Sequence, residues 1–230
     1  MSLSNAPHLV IFDCDGTLVD GQHLVIASMN EAFKRHGLEE PDERATRRVI
    51  GLSLKIAVAK VLGSEQEHHA DEVTETFKQA FHDLRANKTV GEPFYDGALE
   101  LVDALSKHDD VLLGIATGKS RRGVDIMLER TGWHDTFISI QTADSAPSKP
   151  HPGMILNALS DSGALIENTI MIGDTTFDME MARAANAKAF GVAWGYHDVK
   201  SLAAAGAHMI VDDYAALESA LNATFMDETL

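Results

Sequence analysis

The chain has a single cysteine in 230 residues, Cys14. It can therefore form no intrachain disulfide, and nothing in it points to an oxidising compartment. Positive charge is also scarce: 19 Lys and Arg stand against 35 Asp and Glu, for a formal net charge of −16. That balance argues against a nucleic acid or an anionic membrane as partner, because both are gripped first by basic surface. It leaves room for a small anionic substrate, since a bound cation inverts the field locally. No apolar run approaches the roughly 20 residues that span a bilayer. The opening MSLSNAPH lacks the basic and apolar regions of a signal peptide, so the expected location is cytoplasmic. Repeats and low-complexity stretches are absent too. A hydrophobic content of 45% is ordinary for a globular protein, and the length suits one large domain or two modest ones.

What is present is concentrated in one run, LVIFDCDGTLVD, from Leu9 to Asp20. An apolar strand runs straight into Asp13, and Asp15 follows two residues later. In extended chain these two project to the same side, and Gly16 allows a tight turn beside them. Two acids so placed can act as nucleophile and general acid/base, or as two ligands of a hard cation.

Short β-rich runs recur at Leu9–Phe12, Val111–Ala116, Phe137–Ile140, Thr169–Ile172 and Ala189–Ala193, with a weaker sixth at Met209–Val211. Helical spacing lies between most of them, as in Leu99, Val102, Leu105 and in Val124, Met127, Leu128. The alternation predicts an α/β fold with a doubly wound parallel sheet. Residues 21–90 break the rhythm. Val25, Met29, Ala32, Phe33 and His36 make one helical stripe. Leu54, Val58, Val61 and Leu62 make a second, closed by Gly63. Ser64 with Glu67 reads as a capping box opening a third helix, whose apolar face is Val73, Phe77, Ala80, Phe81 and Leu84. The expected organisation is a Rossmann-like core from 1–20 and 91–230 with an all-helical insert over 21–90, hinged at Asp20–Gly21 and Gly91–Glu92–Pro93. Such a lid can exclude water.

Ligand sites in open α/β sheets lie beyond the carboxyl ends of the strands. The polar residues at those ends are Asp13 and Asp15, then Thr117, Gly118 and Lys119, then Ser148, Lys149 and Pro150, then Gly173 through Asp178. Together they supply acids, a hydroxyl and a lysine, the parts that phosphoryl transfer requires. A carboxylate serves as nucleophile once the phosphate charge is neutralised, clustered carboxylates favour Mg²⁺, and an acid protonates the leaving alkoxide.

DxDGT, the strand-two threonine, the loop lysine and GDxxxD, in this order, resemble the haloacid dehalogenase superfamily of phosphotransferases over nearly the whole chain. The inserted helices resemble its smaller helical cap. The resemblance implies that Asp13 is a nucleophile that becomes an aspartyl-phosphate and that Asp15 is the general acid/base. Thr117 and the Gly118 N–H would bind phosphate, while Lys149 orients Asp13 and screens charge. Asp13, the Asp15 carbonyl and Asp174 would hold Mg²⁺, with Asp178 either a further ligand or a support for one. The stretch GVAWGYH (Gly191–His197) is similar to the phosphoglycolate phosphatase branch, so phosphoglycolate or a sugar phosphate is the first-guess substrate. Asn186 stands where that branch commonly has glycine, and asparagine tolerates the left-handed turn. Substrate contacts are expected from His23, Arg48, Gly51 and Lys55, with Arg47 a further cation.

Alternatives stay in view. A haloacid dehalogenase needs no acid at the second position, so Asp15 disfavours it. A phosphosugar mutase cap would place arginine after Ser53, where Leu54 stands. A receiver-like phosphoacceptor module shares the sheet, aspartate, threonine and lysine but has neither the second acid nor the lid. Cys14 reads as a small strand-end residue, and Trp133 and Trp194 as core or hinge packing. The expected partner is a small phosphorylated metabolite, with the chain a monomer or homodimer.

Overall fold

A computed structural model describes residues 6–87 and 91–227. The first residues of the MSLSNAPH segment, and residues 88–90 at the end of the expected insert, lie outside the described residues.

Six strands form one parallel sheet: β1 (His8–Phe12), β2 (Val111–Ala116), β3 (Ser139–Gln141), β4 (Thr169–Gly173), β5 (Lys188–Val192) and β6 (Met209–Val211), in the order β3-β2-β1-β4-β5-β6. The chain winds outward from β1 to β2 and β3, then returns to β4 on the other side of β1. This reversal makes the carboxyl end of β1 a topological switch point, the usual ligand crevice of such sheets. β1 is buried on both faces, which explains the unbroken apolar run Leu9–Phe12 within it.

Alternate residues feed two cores. On one face Val10, Phe12, Ile170 and Ile172 pack with α5 (Ala98–Leu105), α6 (Arg121–Thr131) and α10 (Tyr214–Asp227). On the other, Leu9, Ile11 and Met171 pack with α7 (Gly153–Ser162), α8 (Thr176–Ala185) and α9 (Val199–Ala204). Between β1 and α5 the described residues form four α-helices: α1 (Gln22–Arg35), α2 (Glu43–Arg47), α3 (Leu54–Leu62) and α4 (Ala70–Ala86). They make the all-helical cap and have their own cluster, with Met29, Ala32, Phe33, Val58, Leu62, Val73 and Phe77 buried together.

Three local readings need correction. The Ser64–Glu67 capping box does not form. Gly63 leaves α3 at φ 72 and ψ 169, and Gln66 N–H closes a turn onto the Gly63 carbonyl at 3.2 Å. Ser64 therefore lies inside a turn, Glu67–His69 make a 3-10 turn, and α4 starts at Ala70 with no side-chain cap. β3 starts two residues later than its apolar run. Phe137 is buried against Trp133 before the strand begins, with ring centroids 5.9 Å apart, whereas polar Gln141 is in the strand and accepts the Thr117 N–H at 3.0 Å. The short helix α2 has no counterpart among the expected elements; Asp42 caps it by accepting the Arg44 N–H. Asn186 does take the left-handed turn, at φ 62.

Candidate active site

Asp13 follows the last residue of β1, and its N–H is held by the Ile172 carbonyl at 2.9 Å. Its side chain is fully buried. Oδ1 accepts from the Cys14 N–H at 2.7 Å and lies 2.9 Å from Lys149 Nζ. Oδ2 has no hydrogen-bond partner. Burial pushes the Asp13 carboxyl up to about 7; the Lys149 ammonium opposes the rise, and the Asp178 and Asp15 charges add to it.

Lys149 is fully buried and bridges two acids, reaching Asp178 Oδ1 at 2.6 Å as well as Asp13. Burial alone would lower its pKa, but those two carboxylates outweigh burial and keep it charged. Asp178 has a second task. Its Oδ2 accepts from the Thr175 hydroxyl at 2.7 Å and the Thr175 N–H at 3.1 Å, closing a capping box at the start of α8. Asp174 is also fully buried; it accepts from Thr17 Oγ1 at 3.1 Å and from the Tyr196 N–H at 2.8 Å. Burial, then the charges of Asp178 and Asp13, raise its carboxyl well above the ordinary range despite those two donors. A side chain at Gly16 (φ 84) would collide with the Asp174 carboxylate, so the turn after Asp15 has room for glycine only.

Asp13, Asp174 and Asp178 each offer an oxygen within 4.8 Å of the others. Three buried acids, one with an unpartnered oxygen, need positive charge beyond Lys149, which pairs with only two of them. All the donors are hard oxygens, so the cluster fits a metal site of the magnesium type.

A family model described as haloacid dehalogenase-like hydrolase matches residues 10–192. The chain belongs to this family. Its relatives include "Probable phosphatase IndB" of Dickeya dadantii, 36% identical over 94% of both chains. A phosphoglycolate phosphatase of Rhodospirillum rubrum is 29% identical over 92% of this chain and 89% of its own. Among solved structures, a hydrolase from Pseudomonas syringae is 28% identical with a TM-score of 0.79, covering 94% of this chain and 98% of that one. Asp13, Lys149, Asp174 and Asp178 all fall within the matched stretch of this haloacid dehalogenase-like chain.

Thr117 is buried at the end of β2. Together with Asp15, Gly118 and Lys119 it forms the floor of a cavity of about 630 Å³ between core and cap. Gly51 and Lys55 line the same cavity, whereas His23 and Arg48 are exposed and do not. The Arg48 carbonyl instead accepts from His197 Nε2 at 3.2 Å, and Arg47 bonds Gln22. Cys14 is buried, and burial pushes its thiol far up, which leaves it inert.

Sequence reasoning assigned no site role to three residues that shape the site. Lys119 Nζ sits 2.9 Å from both Asp15 Oδ1 and Glu92 Oε1. Glu92, read only as a hinge residue, is buried and also pairs with Arg85 of α4. Tyr196 bonds Asp174 through its N–H and the hinge residue Gly21 through its hydroxyl. An available signal was the TGK sequence at the end of β2, which sets a lysine beside the expected phosphate ligands.

Proposed function

We propose that this protein is a Mg²⁺-dependent phosphatase that hydrolyses a small phosphomonoester through an aspartyl-phosphate on Asp13. The observation that carries the reading is the state of the Asp13 carboxylate: one oxygen is fixed by Lys149 and Cys14 N–H, and the other is buried without a partner at the switch point of the sheet. The names of its relatives, phosphatases and a pyrophosphatase among them, support phosphate as the group transferred.

Asp13 attacks phosphorus, and the bond to the ester oxygen breaks. Asp15 gives its proton to that departing oxygen. Water then attacks the same phosphorus as Asp15 takes a proton back, and the bond to Asp13 breaks to release phosphate. Thr117 and the Gly118 N–H hold phosphate oxygens, and Lys149 fixes Asp13 and screens the dianion. Asp13, the Asp15 carbonyl, Asp174 and Asp178 would hold Mg²⁺, which when bound neutralises phosphate charge that would otherwise repel the nucleophile. Asp15 is what sets ester hydrolysis apart from halide release, because an alkoxide leaves poorly without a proton. From the cap, Gly51 and Lys55 are the proposed substrate contacts that reach the cavity; His23 and Arg48 stand away from it.

The test is a phosphate-release screen over phosphorylated metabolites, with Asp13→Asn as the blank. The parent should release phosphate, a chelator should stop it, Mg²⁺ should restore it, and Asp13→Asn should fall by at least about a thousandfold. Phosphate release undiminished in Asp13→Asn would overturn the reading.

A further inference from the structure

The cap is closed on the core. The Ser53 N–H donates to Ser148 Oγ at 2.9 Å, and His197 donates to the Arg48 carbonyl. Gly118 lies so close beneath the cap loop that an added Cβ would come 2.5 Å from the Gly51 carbonyl oxygen. The cavity of about 630 Å³ therefore persists as a cleft between seated lid and core, open in part to solvent. It falls inside the roughly 300–1,000 Å³ range of pockets that surround drug-sized ligands. Phosphoglycolate, with two carbons, would leave most of it to water.

The chemistry of the walls sharpens the point. Beyond the polar floor, the cavity is walled by Val25, Met29, Leu54, Phe77 and Phe81 of the cap and by Ile126 of the core. Water against such a wall is unfavourable, and an apolar ligand group displaces it. A glycolate carboxylate would need a cation, yet the buried lining cations are already matched and the exposed ones, Lys55 and Lys78, stand largely in solvent. Lys119 is shared by Asp15 and Glu92, Arg85 holds Glu92, Lys55 holds Asp71 and Lys78 holds Glu75. Among the described residues lining the cavity, Arg122 has no such partner, and it is exposed on the first turn of α6.

Resting on the phosphatase reading, we infer that the substrate is a phosphomonoester whose leaving alcohol is bulky, uncharged and largely apolar, on the scale of an aromatic ring with its linker, and is not a short carboxylic acid. The phosphate sits on the polar floor and the alcohol fills the space between α1, α4 and α6.

The test compares ethyl phosphate, phenethyl phosphate and phosphoglycolate with the full-length protein and Mg²⁺, using Asp13→Asn as the blank. Ethyl and phenethyl alcohols are similar in basicity, so the difference between them reports binding more than leaving-group chemistry. Phenethyl phosphate should exceed both others in kcat/KM by at least roughly tenfold, mostly through KM. Phe81→Ala, at a half-buried position on the edge of the cap cluster, should reduce that preference severalfold in protein whose folding is checked by circular dichroism. Phenethyl alcohol should also inhibit as a product more strongly than glycolate. Phosphoglycolate turning over as well as phenethyl phosphate, or glycolate inhibiting better, would overturn the inference and leave the phosphatase reading standing. If none of the three is hydrolysed above the blank, and no other phosphomonoester is either, the phosphatase reading fails and the inference falls with it.

Discussion

A carboxylate that attacks phosphorus must be ionised, and burial works against that. For Asp13 burial raises the carboxyl to about 7, and Lys149 at 2.9 Å is what keeps the rise in check. A second charged set surrounds Asp15. Burial alone would raise the Glu92 carboxyl, but Lys119, with Arg85 behind it, outweighs burial and holds Glu92 below the ordinary carboxylate range. A group depressed on folding contributes stability above its unfolded pKa and loses it as the pH falls through its folded value. Glu92→Gln should therefore be less stable than the parent by about 2 kcal/mol near neutrality. That gap should narrow once the pH falls below the unfolded glutamate value of about 4.3. Urea denaturation at a series of pH values measures it, and a gap that does not change with pH would contradict the account.

At the scale of elements, the loop between α2 and α3 decides whether the lid seats. It rests on Gly118 with no space for a methyl group, because a Cβ there would meet the Gly51 and Leu52 carbonyl oxygens at 2.5 and 2.6 Å. Gly118→Ala should lower kcat/KM roughly tenfold by unseating the loop, while the urea-unfolding free energy changes by less than about 1 kcal/mol. Unchanged kinetics would show that the loop does not need this contact. The same scale separates what was legible in the sequence from what was not. Strands β2 and β6 were readable end to end because their apolar runs coincide with their hydrogen-bonded spans, whereas β1 begins one residue before its apolar run, at His8. Asp13, Thr117, Lys149 and Asp174 were singled out by the order of their motifs, which resembles the family's; Lys149 by itself would read as a solvated lysine in the loop between β3 and α7. Lys119 and Glu92 were not: their partners lie 104 and 27 residues from Lys119, and a lysine or glutamate is ordinarily a solvated surface residue. The failed capping box has the same origin, since the turn set up by Gly63 overrides a good local motif. The apolar wall of the cavity was read as helical stripes, but a stripe does not reveal that part of it faces a cleft between cap and core.

For the whole molecule, the cap and the sheet have separate hydrophobic clusters, and the reaction needs both in place. Phe77, at 5% exposed, is shared between the cap cluster and the cavity wall. Phe77→Ala should cost about 3–4 kcal/mol. Limited proteolysis should then cut within α1–α4 before it cuts the sheet, and simultaneous loss of both would show that cap and core unfold as one unit. The central claim, however, is chemical: phosphate passes through Asp13. Its most direct test is to quench the enzyme in acid during turnover of a phosphomonoester and map the phosphoryl group by peptide mass spectrometry. The account predicts a phosphoryl group on the peptide containing Asp13, present during turnover and absent from Asp13→Asn. Turnover with no phosphoryl group at Asp13, or with one carried elsewhere on the chain, would contradict it.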